Sequence, residues 1–379
     1  VAYLGRMIIV MKEGHTAGSD EVSRLVAIAE SYPDVRCEVH EIAGVLRSVT
    51  EIYLLGSTAQ VPVERFDELD SVERAVRIAT RYKKIGRHEG QVEELGFTYK
   101  GLHFSQDTFH LFPGLCAVDT PEHVEQMFQA LKAQGIQTTR AGAYKPRTSP
   151  YAFQGHGKAC LPYLFELAGK YDIKIISMEV CREHQVDEIR QALDKAGHPT
   201  GVMLQIGTRN AQNFGLLKVV GEQKDFPVLF KRGFGISLEE SLNAVEYVAS
   251  SGNHRIIFCL RGMRTHLGDP HRNMVDFAHV PVVKRLTRLP VCIDPSHSVG
   301  SRKRAPDGLL DVHHVTAQGI IAGANMALVD FHPCPDKALC DGPQAMLLPE
   351  FEHFVEDCRL VRHAYQRRLT LAREKLPHG

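Results

Sequence analysis

The sequence predicts an α/β protein: a (β/α)8 TIM barrel preceded by a small ferredoxin-like α+β domain. Three observations carry that expectation. From about residue 105 short apolar runs alternate with amphipathic segments, the rhythm of repeated β-α units. Nearly every run ends on a chemically loaded side chain: Cys116, Lys145, Glu179, Arg209, Lys231, Arg261, His297 and Asp330. Barrel enzymes build their sites at the C-terminal ends of the strands, which favours a barrel over the alternative, a doubly wound open sheet. Upstream, residues 6–82 follow the order βαββαβ, the ferredoxin-like arrangement.

The elements follow in order. The small domain is assigned to residues 1–88. Arg6–Met11 reads as a strand, and Ser19–Ser31 as a helix with Val22, Leu25, Val26 and Ala29 on one face. Val35–His40 and Ser48–Leu55 read as strands, Phe66–Leu69 as a short helix and Val72–Ala79 as the last strand. Residues 89–104 are charged and weakly periodic, which predicts a linker with a hairpin. The barrel is assigned to 105–379. Its strands are expected at His110–Cys116, Gln137–Ala143, Lys174–Val180, Val202–Ile206, Val228–Lys231, Arg255–Leu260, Val291–Ile293 and Met326–Phe331. Helices are expected at His123–Gln134, Leu161–Lys170, Val186–Lys195, Leu238–Ser250 and Val280–Leu286, with a charged closing helix over about 348–374.

Bulk properties exclude several function classes. The 379 residues carry 45 Lys+Arg and 45 Asp+Glu, so any cationic site must be local, and a nucleic-acid or membrane-surface protein is not indicated. No apolar run is long enough to span a bilayer. The N-terminal residues lack the features of a signal peptide. The chain opens at Val1, so its start is expected upstream or at a non-Met codon, with Met7 as another candidate. Nine cysteines without a Cys-x-x-Cys pair argue for reduced thiols and a cytoplasmic location.

Two constellations carry the chemistry. Arg140, Lys145 and Arg147 lie in one strand-loop unit, stiffened by Pro146 and Pro150, with Thr148 and Ser149 adding hydroxyls. Guanidinium and ammonium groups in this density suit phosphate or carboxylate. Taken alone, the loop also fits a solvated turn. Arg209, next to Thr208, joins Lys231 and Arg261 from three further strands, and cations converging on one barrel mouth require anions to neutralise them. The second constellation is Cys116, His297, Asp330 and Asp341, a thiolate, an imidazole and two carboxylates that suit Mn, Fe, Co or Zn better than Mg or Ca.

Five segments then resemble a known family. They are Ala141-Gly-Ala-Tyr-Lys-Pro-Arg-Thr-Ser-Pro-Tyr-Ala-Phe-Gln-Gly155, Gln205-Ile-Gly-Thr-Arg-Asn-Ala-Gln-Asn-Phe214, Leu229-Phe-Lys-Arg-Gly233, Asp294-Pro-Ser-His297 and His332-Pro-Cys-Pro-Asp-Lys-Ala-Leu-Cys-Asp-Gly-Pro-Gln344. Together they resemble the type I DAHP synthases (3-deoxy-D-arabino-heptulosonate 7-phosphate synthases), in the subclass with an N-terminal ferredoxin-like domain. The resemblance implies condensation of phosphoenolpyruvate with erythrose 4-phosphate and water, giving DAHP and phosphate, the first step of the shikimate pathway. It implies that Arg140, Lys145, Arg209, Lys231 and Arg261 hold phosphoenolpyruvate, and that Arg147, Thr148 and Ser149 hold the aldose phosphate. Pro146 and Thr208 would line the same substrate pocket. Cys116, His297, Asp330 and Asp341 would hold the divalent metal, with Lys145, His297 and Cys116 at the catalytic centre. A homo-oligomer (dimer or tetramer) is implied. So is an aromatic amino acid effector at the N-terminal domain, whose alternative role is packing or oligomerisation.

Several positions depart from the family pattern. Gly114-Leu115-Cys116 replaces Gly-Pro-Cys, Asp330 stands for a metal-binding Glu, and Leu260 for the Glu usual in this subclass. Ungapped counting puts Met178 where the family carries an acid, with Glu179 next. A one-residue step reverses the face of a strand, so either a bulge restores Glu179 or the acid is missing. These changes leave two alternatives: a paralogue of specialised metabolism with another aldose phosphate, or a catalytically silent regulatory paralogue. The sister synthases that take arabinose 5-phosphate show Lys-Ala-Asn-Arg-Ser where this chain has Lys145-Pro-Arg-Thr-Ser149. Finally, Cys334 and Cys340 flank the metal loop, and loss of metal would leave Cys116 open to a disulfide with one of them.

Overall fold

The computed structural model describes residues 6–43, 48–78, 82–88 and 95–376. The end of the fourth expected strand at Ala79 and the linker segment 89–94 lie outside them. The chain divides into two compact units, Val1–Phe97 and Thr98–Gly379.

The first unit contains β1 (Arg6–Met11), α1 (Asp20–Glu30), β2 (Val35–Ala43), β3 (Ser48–Gly56), α2 (Glu64–Asp67) and β4 (Val72–Ile78). The sheet order β2-β3-β1-β4 with antiparallel neighbours is the ferredoxin-like arrangement. Alternation along β1 puts Met7, Ile9 and Met11 on the face that packs against Val22, Leu25 and Ala29 of α1 and Phe66 of α2. The short helix begins two residues before the expected Phe66. Only Phe66 in it is buried, so burial of one aromatic rather than a repeating apolar face defines it.

A hairpin, β5 (Phe97–Tyr99) and β6 (Leu102–Phe104), begins at the last residue of the first unit. The barrel strands are β7 (His110–Leu115), β8 (Thr138–Ala141), β9 (Ile175–Val180), β10 (Gly201–Ile206), β11 (Val228–Lys231), β12 (Ile256–Leu260), β13 (Val291–Ile293) and β14 (Met326–His332). All pair in parallel, and β13 pairs with β14 to close the ring. A short β15 (Met346–Leu347) pairs in parallel with the end of β14. The helices are α3 (Pro121–Ala133), α4 (Leu161–Lys170), α5 (His184–Ala196), α6 (Phe214–Glu222), α7 (Leu238–Ser250), α8 (Val280–Leu286), α9 (Pro295–Val299), α10 (Asp311–Ile321) and α11 (Phe351–Lys375). Besides the short turn α9, helices α6 and α10 are not among the expected elements. The first is nearly uniform in apolar character and the second mixes His, Thr and Gly into its buried face, so neither shows a clean stripe.

Local chemistry sets several helix starts. Thr120 accepts from the His123 N–H and Pro121 fills the first turn of α3. Ser237 and Glu240 form a capping box on α7. Asp294 accepts from the His297 N–H at 3.2 Å, which turns the chain sharply after β13 and presents His297 at the mouth.

Candidate active site

Register around the barrel assembles the floor of the site. Asp330, Gly114, Arg140 and Ser177 are successive register partners across β14, β7, β8 and β9, so they share the interior face. Gly114 contributes no side chain there. A Cβ on it would lie 2.3 Å from the Arg140 carbonyl and 2.4 Å from Thr139 Oγ1. Arg140 Nη1 and Asp330 Oδ1 pair at 2.5 Å, with Arg140 3% and Asp330 0% exposed. Burial opposes the charge on Arg140, but Asp330 and Cys116 hold it firmly protonated. Arg140 therefore lies under the metal-ligand group and is absent from the lining of the cavity above.

The metal candidates converge. Ligand atoms of Cys116, His297 and Asp330 lie within 4.8 Å of one another. His297 Nε2 is 3.9 Å from Cys116 Sγ and 3.6 Å from Asp341 Oδ2. Its Nδ1 is 3.1 Å from Asp294, a carboxylate that fixes the ring and leaves Nε2 for an ion. Gln344 Nε2 donates to Asp330 Oδ2 at 2.5 Å, and Arg272 donates to Asp341 Oδ1 at 3.1 Å and Gln344 Oε1 at 2.8 Å. A borderline donor set with oriented imidazole and hydrogen-bonded carboxylates fits a divalent transition ion. Asp330, one methylene shorter than Glu, still reaches the group.

The electrostatics agree. Burial works against a charged His297, yet Asp294 and Asp330 raise its value to about 10. Burial also opposes the Asp341 carboxylate, but His297, Lys145 and Arg272 hold it well below the ordinary range. Contact with Cys340, burial and Asp330 push the Cys116 thiol well up, with Lys145 pulling the other way. A divalent ion held here would be bound by the deprotonated Cys116 thiolate and the free His297 Nε2.

Above the floor lies a cavity of about 240 Å³. Of the residues expected to bind substrate, Lys145, Pro146, Arg147, Thr148, Ser149, Thr208, Arg209, Lys231 and Arg261 line it, as do His297 and Asp341. An adjoining cavity of about 270 Å³ shares Arg209, Arg261 and Arg272 and adds Arg264 and Asn273. Lys145 Nζ donates to the Cys116 carbonyl at 2.8 Å and to its sulfur at 3.1 Å, and sits 3.8 Å from Glu179 Oε2. Burial disfavours its charge, but Cys116 and Glu179 keep it an ammonium. Lys231 donates to Asp294 at 2.5 Å. Arg261 is 4% exposed, its Nε has no partner among the described residues, and burial lowers its value. A buried guanidinium left short of acceptors marks a place for an anion.

The third-strand acid is present. Glu179 lines the cavity, while Met178 is fully buried behind it. The β9–β10 register runs without a break from Gly201↔Ile175 to Ile206↔Val180, so no bulge is involved. Ser177 and Glu179 alternate on the interior face, and the opposite face takes Met178. Arg264 and Arg272 are absent from the expected site because they lie on an irregular loop without periodic signal, and Gln344, within a segment that resembles the family, has no role assigned to it. Of the two loop cysteines, Cys340 reaches the cavity, whereas Cys334 is not among its lining residues.

Comparison with known proteins places this geometry. The model of the DAHP synthetase I family matches residues 99–365. A phospho-2-dehydro-3-deoxyheptonate aldolase from Thermotoga maritima is 36% identical over 94% of this chain and 98% of its own length. A 2-dehydro-3-deoxyphosphooctonate aldolase from Bdellovibrio bacteriovorus is 27% identical over 57% of this chain and 72% of its own length. The crystal structure of the Thermotoga maritima DAHP synthase superposes with a TM-score of 0.68 at 34% identity, covering 95% of this chain and 97% of that one. A truncated form of the same synthase gives 0.64 at 33% identity, covering 75% of this chain and 97% of its own. With most of its length matched by the family and by a relative of the same extent, the chain belongs to the DAHP synthetase I family.

Proposed function

We propose that this chain condenses phosphoenolpyruvate with erythrose 4-phosphate and water, releasing DAHP and inorganic phosphate. The observation that carries the reading is a cation-lined cavity, with Arg261 short of acceptors, directly above a Cys-His-Asp-Asp group. Lys145, Arg209, Lys231 and Arg261, with Arg140 beneath, form the grip on phosphoenolpyruvate. Arg147, Thr148 and Ser149 form the grip on the aldose phosphate. Arg209 Nη2 donates to Thr148 Oγ1 at 3.3 Å, linking the two grips.

In the reaction the enol carbon of phosphoenolpyruvate bonds to the aldehyde carbon, and the aldehyde oxygen takes up a proton. Water adds at the phosphate-bearing carbon and loses a proton, and the carbon–oxygen bond to phosphate breaks. Lys145 holds its proton at Nζ beside the reacting centre and can hydrogen-bond the aldehyde oxygen. Arg209 and Arg261 stabilise the negative charge on the departing phosphate. Clamping both substrates lowers the barrier by up to ~7–11 kcal/mol through proximity. The chemistry that a divalent ion (Mn, Fe, Co or Zn) would supply, held by Cys116, His297, Asp330 and Asp341, is Lewis-acid polarisation of the aldehyde.

The protein works in the cytoplasm in this reading, which its nine free cysteines support. It acts as a homo-oligomer, and its first unit binds an aromatic amino acid that inhibits the barrel. The deciding experiment measures phosphate release from phosphoenolpyruvate with Mn²⁺ added, then with EDTA. Release that requires both metal and erythrose 4-phosphate is expected. Release indifferent to either would overturn the reading.

A further inference from the structure

Cys340 has no role in the reading above, yet it is built into the metal loop. Asp341 adopts φ 55°, a left-handed conformation that Asp tolerates better than most residues. The next residue, Gly342, packs so tightly that a Cβ would lie 2.3 Å from the Pro335 carbonyl. In an extended chain two consecutive side chains point apart. Here the left-handed residue turns the backbone, and Cys340 and Asp341 both line the cavity.

The sulfur lies beside two of the candidate metal ligands, Cys116 and Asp341. Cys340 Sγ is 3.2 Å from Asp341 Oδ2, and the same oxygen is 3.1 Å from Cys116 Sγ. The donor atoms of Cys116, Cys340 and Asp341 all lie within 4.8 Å of one another. Cys340 is 6% exposed, and Arg147 Nη1 donates to its sulfur at 2.6 Å.

We propose that Cys340 is a ligand of the divalent metal, joining Cys116, His297, Asp330 and Asp341 so that two sulfurs face the ion. This rests on the metal reading given above. Each thiol loses its proton to solvent as its sulfur–metal bond forms. A second thiolate shifts the preference of the centre toward Zn²⁺, Fe²⁺ and Co²⁺ over the harder Mn²⁺. Arg147 then touches a metal ligand as well as the aldose phosphate, coupling that grip to the ion.

The test counts sulfurs directly. Metal-free full-length protein is titrated with Co²⁺, and the near-ultraviolet thiolate-to-cobalt charge-transfer absorbance is measured per bound ion. Serine keeps an acceptor for Arg147 but removes the soft donor, so Cys340→Ser separates ligation from hydrogen bonding. Each of Cys340→Ser and Cys116→Ser should retain about half of the wild-type band, and the double variant none. Zn²⁺ affinity of Cys340→Ser should fall about 10-fold or more, with a smaller loss for Mn²⁺. A full band in Cys340→Ser with none in Cys116→Ser would overturn the assignment and leave the metal site standing. Absence of Co²⁺ binding in the wild type would overturn the metal reading itself.

Discussion

Asp119 shows how a single carboxylate orders the site from outside it. Its Oδ2 accepts from His332 Nε2 at 2.6 Å and His123 Nδ1 at 2.9 Å, and its Oδ1 from the Thr120 N–H at 2.7 Å. These three residues resemble a metal site by proximity. The hydrogen bonds decide otherwise: His332 Nδ1 accepts from the Cys334 N–H at 3.0 Å, so Nε2 carries the ring proton and donates. The cluster ties the loop bearing Cys340 and Asp341 to the turn after Cys116. Burial pushes the Asp119 carboxyl up, but the donors from His332, His123 and Thr120 outweigh it and bring it from 3.8 to about 2. A lowered carboxyl stabilises the fold above its unfolded value and loses that contribution as pH falls through the folded one. Asp119→Asn should therefore cost about 2 kcal/mol at pH 7, shrinking between about pH 4 and pH 2. Urea unfolding in EDTA at several pH values checks this; a cost as large near pH 2 as at pH 7 would contradict it.

At the scale of elements, the end of β10 against β9 governs the acid. Gly207 has φ −71°, which any residue adopts, so its backbone does not require glycine. Space does: a Cβ there would lie 1.7 Å from Glu179 Oε1. The obstructing atom ends a flexible side chain, so Gly207→Ala should fold with its melting temperature nearly unchanged. It should instead push the carboxylate away from Lys145 and lower kcat/KM about 10²-fold. Adding Glu179→Ala to that variant should cost little more, because the carboxylate is already displaced. Additive losses in the double variant would show that Gly207 acts by another route. The sequence left this element open. Strand β9 was readable as an apolar run, but which of Met178 and Glu179 faces inward depends on pairing with β8 and β10, and no local pattern encodes it.

At the scale of the molecule, the barrel closes its own sheet, and its strands and helices all lie within Thr98–Gly379. A unit with its own core and no open barrel edge should fold alone. A chain of residues 98–379 is expected to keep its helical circular dichroism and a kcat within ~3-fold of the full protein. It is expected to lose inhibition by Tyr or Phe. Unchanged inhibition in the shortened chain would remove the effector from the first unit.

The sequence by itself determined the architecture and most of the cavity lining. Helix and strand periods are local, turn and cap residues sit beside the elements they bound, and the Lys145–Ser149 and Asp294–His297 segments carry their chemistry within a few residues. Only the tertiary structure decided what depends on distance along the chain. It turned Glu179 inward and Met178 outward, and paired Arg140 with Asp330 across a glycine. It also drew Arg264 and Arg272 in from an irregular loop and set Cys340 beside Cys116. Each of these follows from register around a closed ring or from the path of an aperiodic loop. Both are set by packing over hundreds of residues, which leaves no periodic trace in the local sequence.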